Sequence, residues 1–228
     1  MAPPKPTAAA MADPSPSASS PWRSPAQRGR DRALKREAVL KAAARLFNEK
    51  GFHATSLDDV ARQLNVTKPT LYHYFRSKDD VLFECCRMGL EMIEAAAATV
   101  PGSQASGLER LRALMEQYAE AMTMDFGMSI SRTPDTALSP ENRAELRRLK
   151  AQIDRALRGV IQSGIEDSSI APCDVRTAAF AIAGALNAIA HWYKPDGPLA
   201  PAEIARQTAD FLIQGLAPRT SERRQPKR

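Results

Sequence analysis

With 228 residues, 43 % of them apolar, the chain is long enough to bury a proper core as one domain or two. Its net charge of +6 is unevenly placed: residues 21–80 hold 13 Lys+Arg against 7 Asp+Glu, residues 81–218 hold 13 against 17, and the last ten hold 5 against 1. No run of about 18 apolar residues occurs, so no membrane span is expected; a basic head and tail favour a polyanionic partner through counterion release.

Residues 1–27 are rich in Pro, Ala and Ser and lack the continuous apolar stretch of a signal peptide, which predicts a disordered tail in which Met11 is an alternative start. Cys85, Cys86 and Cys173 have neither metal-ligand spacing nor the even count of a disulfide framework. A reducing cytoplasm is expected, with no metal and no cofactor. The chain has no G-x-S-x-G, H-E-x-x-H, G-x-G-x-x-G or phosphate-binding loop, and its histidines, His53, His73 and His191, are scattered. An enzyme is therefore not expected.

Residues 55–78, TSLDDVARQLNVTKPTLYHYFRSK, carry the densest signal. Leu57, Val60, Ala61 and Leu64 recur at the spacing of one helical face, and Asn65 interrupts the run. Thr67 is suited to cap a second helix with Pro69 in its first turn, where a missing N–H costs nothing. Leu71 and Phe75 face inward on that helix, while Lys68, Thr70, Tyr72, His73 and Tyr74 face outward with groups that suit phosphates, thymine methyls or base edges. Two short helices joined by a tight turn make a helix-turn-helix.

These residues resemble the DNA-binding domain of the TetR family, whose pattern L-x-V-[ST]-x-x-[TS]-[LI]-Y-x-[YH]-F and following lysine read here as Leu64, Val66, Thr67, Thr70, Leu71, Tyr72, Tyr74, Phe75 and Lys78. Upstream, Ala42, Ala43, Leu46 and Phe47 followed by Gly51-Phe52 look like the family's first helix and its stop, so the resemblance spans about residues 32–84. It implies an all-α fold: a three-helix helix-turn-helix domain over 28–78, a helical ligand-binding and dimerisation domain over 79–217, and a basic disordered tail over 218–228. It also carries over Thr55, Thr67, Tyr74 and Lys78 as phosphate contacts and Lys68, Pro69, Thr70, Tyr72 and His73 as the residues nearest the bases. The arm from Arg28 to Arg32 is a further candidate for a backbone or minor-groove contact.

Beyond Lys78 the pattern stays helical. Val81, Leu82, Cys85, Met88, Met92 and Ile93 mark one helix, which Pro101-Gly102-Ser103 ends. Leu108, Leu111, Met115, Tyr118 and Met122 mark a second, from about Gly107 to Met124. Ser139-Pro140-Glu141 opens a third, near 140–165, with Leu146, Leu149, Ile153, Leu157, Val160 and Ile161 inward and Arg143, Arg147, Arg148, Arg155 and Arg158 on its other face. A nearly uncharged helix then runs to Tyr193 and needs cover on every side. The last helix, from about Pro201 to Leu216, is expected to supply part of it through Ile204, Phe211, Leu212 and Leu216, and a second copy of the chain the rest.

In the TetR family the last two helices form a four-helix dimer interface, which here implicates Gly184, Ala185, Ala188, Trp192, Phe211 and Leu212. A dimer implies a palindromic double-stranded operator. An effector cavity is expected among Met88, Met92, Met115, Tyr118, Met122, Phe126, Phe180 and Asn187. The segment from Asn187 to Leu199, with Glu203-Ile204-Ala205 and Gly215-Leu216, resembles a TetR subgroup that responds to acyl-CoA thioesters; it departs at Ala200, where a capping Ser or Thr is usual. For such a ligand Arg147, Arg148 or Arg158 would pair with phosphates. The resemblance implies a ligand-responsive regulator, expected to be a repressor; an activator of the same family and a nucleic-acid-binding helical dimer without sequence preference are the alternatives.

Overall fold

The computed structural model describes residues 25–98 and 105–218, so residues 1–24 of the tail expected over 1–27, residues 219–228 of the tail expected over 218–228, and the helix stop at Pro101-Gly102-Ser103 lie outside the described residues. Among the described residues there are nine α-helices and no strand. Helix α1 (Pro25–Lys50) starts three residues inside the stretch expected to be a disordered tail; proline, with its fixed φ and missing N–H, suits a first helical turn. The part of α1 before residue 37 belongs to one compact unit, in which Arg28, Arg30 and Arg32 are exposed, and everything from Glu37 onward forms another. In the second unit α1 buries Val39, Leu40, Ala43, Ala44, Leu46 and Phe47 and stops at Gly51, whose φ of +85° is open to glycine without a Cβ penalty.

Helix α2 (Leu57–Gln63) opens on a capping box: Ser56 Oγ accepts from Asp59 N–H, and the Asp59 carboxylate accepts from Ser56 N–H. Leu57, Val60 and Ala61 are buried as expected, and Asn65 turns the chain at φ +54°, a left-handed conformation that asparagine tolerates. Helix α3 (Lys68–Tyr72) follows, with Thr67 at the N-cap position and Pro69 in the first turn. Thr67 does not cap through its side chain: its hydroxyl pairs with that of Thr70 at 2.9 Å. Leu71 and Phe75 are 1 % and 2 % exposed and clamp α3 onto the core.

Helix α4 (Lys78–Ala98) leads into the remaining bundle, which consists of α5 (Gly107–Ala121), α6 (Asp125–Arg132), α7 (Pro140–Glu166), α8 (Val175–Trp192) and α9 (Pro201–Gln214). Cys85 and Cys86 show how α4 is wedged in: both are buried, with Cys85 Sγ 3.5 Å from the Leu40 carbonyl of α1 and Cys86 Sγ 3.6 Å from the Ser129 carbonyl of α6. Gly107 at the start of α5 meets Gly164 near the end of α7 so closely that a Cβ on Gly107 would stand 2.2 Å from the Gly164 Cα. On α9, Ile204, Ala205, Ala209 and Ile213 form the buried stripe. Phe211, expected to help cover α8, lies on the opposite face and is 76 % exposed, because it is out of phase with that stripe. Ala200 provides no side-chain cap to α9, as its departure from the family pattern implies.

Candidate DNA-reading surface and effector cavity

The turn at Asn65 and the burial of Leu71 and Phe75 fix which face of α3 is presented. Lys68, Pro69, Tyr72 and His73 are exposed, Thr67 beside them is exposed, and Thr70 and Tyr74 are half-buried, with Tyr74 packed against the core. Lys68 Nζ is held 2.7 Å from Asp58 Oδ2 of α2, and this hydrogen bond raises the lysine's affinity for its proton. Lys78 sits with Nζ 4.1 Å above the Phe52 ring, a cation–π contact, while partial burial moves its pKa down. Thr55 departs from its expected role. It is 2 % exposed, and its hydroxyl donates to the Leu46 and Gly51 carbonyls at 3.1 and 2.9 Å, so it closes the end of α1 instead of facing solvent.

A cavity of about 580 Å³ opens among α4, α5, α6, α7 and α8, in the range of small-molecule sites. Of the residues expected there, Tyr118, Phe180 and Asn187 line it. Met115, Met122 and Phe126 are core residues no more than 7 % exposed; Met88 and Met92 are half-buried against the same core; none of the five lines the cavity. Arg147 is exposed on α7, one turn before Ala151, and stands outside the lining. The wall is completed by Leu90, Ile130 and Leu157 and by polar groups the sequence did not single out: Ser131, Thr133, Lys150 and Asp154. Lys150 and Asp154 lie four apart on α7, a spacing that in sequence looks like an ordinary solvated face. Tyr118 OH donates to Asn187 Oδ1 at 3.0 Å, and burial pushes the phenol's pKa up to about 12, which keeps it a neutral donor. At the rim Phe180 is 55 % exposed, with the guanidinium carbons of Arg158 and Arg176 at 5.3 and 5.6 Å from its ring centre.

Helix α6 joins this cavity to the helix-turn-helix head. Ile130 and Ser131 face the cavity, and Ser131 Oγ donates to the Asn187 carbonyl at 3.1 Å and pairs with His191 Nε2 at 3.0 Å. Arg132 donates to the Ala190 carbonyl of α8 through Nε at 2.6 Å and to the Asn48 carbonyl of α1 through Nη1 at 3.2 Å. At the other end of α6, Asp125 accepts from Arg45 Nε at 2.9 Å, and its carbonyl accepts from Asn48 Nδ2 at 2.8 Å. A second tie runs from α4: Asp79 accepts from Ser139 N–H and from Asn142 Nδ2 at the start of α7, at 2.8 and 2.5 Å.

The dimer residues expected from the sequence fall on the outer faces of α8 and α9. Gly184, Ala188, Trp192 and Phe211 are exposed, Trp192 at 53 %, and Ala185 and Leu212 are half-buried. A Cβ on Gly184 would meet nothing within 4 Å. Among the described residues no helix is long and apolar enough to cross a membrane, and no group of three or more His, Cys, Asp or Glu could hold a metal.

A recognition helix exposed on a short helix-turn-helix, tied by hydrogen bonds to a helical body with a cavity open to solvent, is the arrangement of a DNA-binding regulator. The family described as "Bacterial regulatory proteins, tetR family" matches residues 39–85, and "Tetracyclin repressor-like, C-terminal domain" matches residues 104–216. Similar proteins include the HTH-type transcriptional repressor KstR2 of Mycolicibacterium smegmatis, 26 % identical over 194 residues, covering 81 % of this chain and 91 % of that protein. The TetR family transcriptional regulator PfmR from Thermus thermophilus is similar in structure, with a TM-score of 0.71, 34 % identity and coverage of 77 % of this chain and 97 % of that one. AibR, in a crystal structure with isovaleryl coenzyme A and operator DNA, superposes with a TM-score of 0.69 at 28 % identity, covering 81 % and 98 %. The chain belongs to the TetR family, and its relatives are transcriptional regulators, not enzymes.

Proposed function

We propose that this chain is a cytoplasmic homodimeric repressor whose head, residues 28–78, binds a palindromic operator and whose body, residues 79–217, releases it on binding an acyl-CoA thioester. The observation that carries the reading is the 580 Å³ cavity with α6 as one wall, since the same helix is bonded to α1 of the head through Asp125 and Arg132. A ligand that fits only a shifted α6 would favour a head spacing that no longer matches the operator, and its differential affinity sets the size of the effect. The apolar part of the cavity, around Leu90, Ile130 and Leu157, suits an acyl chain, and Tyr118 and Asn187 suit a thioester or amide carbonyl. Arg158 and Arg176 beside Phe180 suit the phosphates and the adenine face of coenzyme A at the rim. The AibR complex and the repressor KstR2 support this choice of ligand and of sign.

Dimerisation is supported by the exposed apolar face built from Trp192, Phe211 and the small residues Gly184 and Ala188, where a second α8 could approach closely. Operator release is tested by fluorescence anisotropy of the bound promoter fragment upstream of the chain's own gene, titrated with short- to long-chain acyl-CoAs, free coenzyme A and free fatty acids. Release by acyl-CoA alone is expected; retention of DNA at saturating concentration of every thioester would sink the ligand class. Sedimentation as a monomer at micromolar concentration would remove the palindromic docking.

A further inference from the structure

Two acidic residues open α2, and the structure uses them differently. Asp59 accepts from the N–H and hydroxyl of Ser56 and pairs with Arg62, so it serves its own helix. Asp58 reaches instead to α3, where its Oδ2 lies 2.7 Å from Lys68 Nζ with the two side chains 51 % and 46 % exposed. Lys68 is the first residue of α3, next to Pro69 and on the helix that also presents Tyr72 and His73. A carboxylate in this place opposes backbone binding, because it neutralises the adjacent ammonium and repels phosphates. It does supply a fixed acceptor beside a fixed donor. In the major groove a G·C pair shows the complement: guanine O6 and N7 accept, and cytosine N4 donates. Guanine O6 and cytosine N4 stand about 2.9 Å apart, the length of the hydrogen bond that joins them, close to the 2.7 Å between Lys68 Nζ and Asp58 Oδ2.

Resting on the DNA-reading function proposed above, we infer that Asp58 and Lys68 act as a unit that reads one G·C base pair in each half-site, Lys68 donating to guanine O6 and N7 and Asp58 accepting from cytosine N4. Being net neutral, the pair adds little attraction to random DNA, so its contribution goes to discrimination between sequences and not to overall affinity. Asp58 is thus a specificity-determining residue although it lies outside the recognition helix.

The test is selection from a random-core duplex library by the full chain, by Asp58→Ala, by Lys68→Met and by the double variant, followed by salt titration on the selected site. The wild-type consensus should contain one G·C position per half-site at which preference falls on the order of tenfold in either single variant, with other positions unchanged. Asp58→Ala should also steepen the salt dependence by about 0.9, as the released lysine takes a phosphate, whereas Lys68→Met should leave the slope of the wild type nearly unchanged. The inference is overturned if the two variants affect different positions, if all positions weaken alike, or if Lys68→Met flattens the slope by a full phosphate contact. A pool with no consensus overturns sequence-specific operator binding as well, while a consensus without a shared G·C position overturns this pairing alone.

Discussion

Helices α2 and α3 are seven and five residues long and are joined by a left-handed Asn65, whereas α5 and α7, capped by Ser106 and Ser139 as α2 is by Ser56, are longer and meet backbone to backbone at Gly107 and Gly164. The head places side chains outward on a small frame; the body lines a cavity open to solvent. A capped α2, the turn at Asn65 and the burial of Leu71 and Phe75 keep α3 in one orientation, which suits reading a groove of fixed shape. A bundle whose helices touch at glycine and part around a cavity has room to rearrange, which suits sensing. The contrast teaches that presenting side chains and surrounding a cavity are divided between the two regions, with α6 and the first turn of α4 bonded across them.

The largest effect expected from breaking this contrast is on the body. Gly107→Ala would drive a methyl group into the Gly164 backbone and should lower stability by about 3 kcal/mol or more, read as a fall in the thermal unfolding midpoint. The corresponding change in the head, Gly51→Ala, meets no atoms and costs only the strain of φ +85°, about 1 kcal/mol. On function, Tyr74→Phe combined with Lys78→Ala should weaken binding to all DNA sequences alike and flatten the salt slope by about 0.9 or more; unaltered specific binding would contradict the docking on α3. Asp125→Ala, which removes the Arg45 contact between α6 and α1, should leave operator affinity within about threefold yet reduce the shift that effector produces. If that variant kept full effector response, the α6 tie would not carry the coupling.

The smallest expected effect is acid sensitivity. The Ser56 hydroxyl and N–H hold Asp59 of the head below the usual carboxylate range, and hydrogen bonds from Ser169 and from Gly107 N–H do the same for Asp167 of the body. A carboxylate depressed in the folded state contributes stability above its unfolded value, about 3.9, and loses it as pH falls through the folded value. The unfolding midpoint should therefore be flat from pH 8 to about 5 and decline below about 4. Asp167→Asn should reduce that decline without altering DNA binding.

The head was legible because its signals are local. Apolar spacing and turn lie within residues 55–78, and burial of Leu57, Val60, Ala61, Leu71 and Phe75 follows from phase alone, whereas the side-chain cap expected at Thr67 is absent and the cap that forms is at Ser56. The burial of the Thr55 side chain is not legible, because a hydroxyl satisfied by two carbonyls looks the same in sequence as one free to meet phosphate. The cavity was only partly legible, since whether a methionine on an inward stripe meets a neighbour or a void depends on partners far away in the chain; Met115 and Met122 meet neighbours. Helix α6 escaped altogether. Its apolar residues Phe126, Met128 and Ile130 alternate with Gly127 and Ser129, and all five are buried, so no helical stripe exists to be read.

Cys85 and Cys86 are sealed between α1, α4 and α6, while Cys173, just before α8, is exposed. The native chain therefore offers a single reactive thiol for a spin label or fluorophore at the end of the helix that walls the cavity. In a two-fold dimer that attachment gives one interprobe distance, which would report movement of α8 on ligand binding without altering any residue of the DNA-reading head.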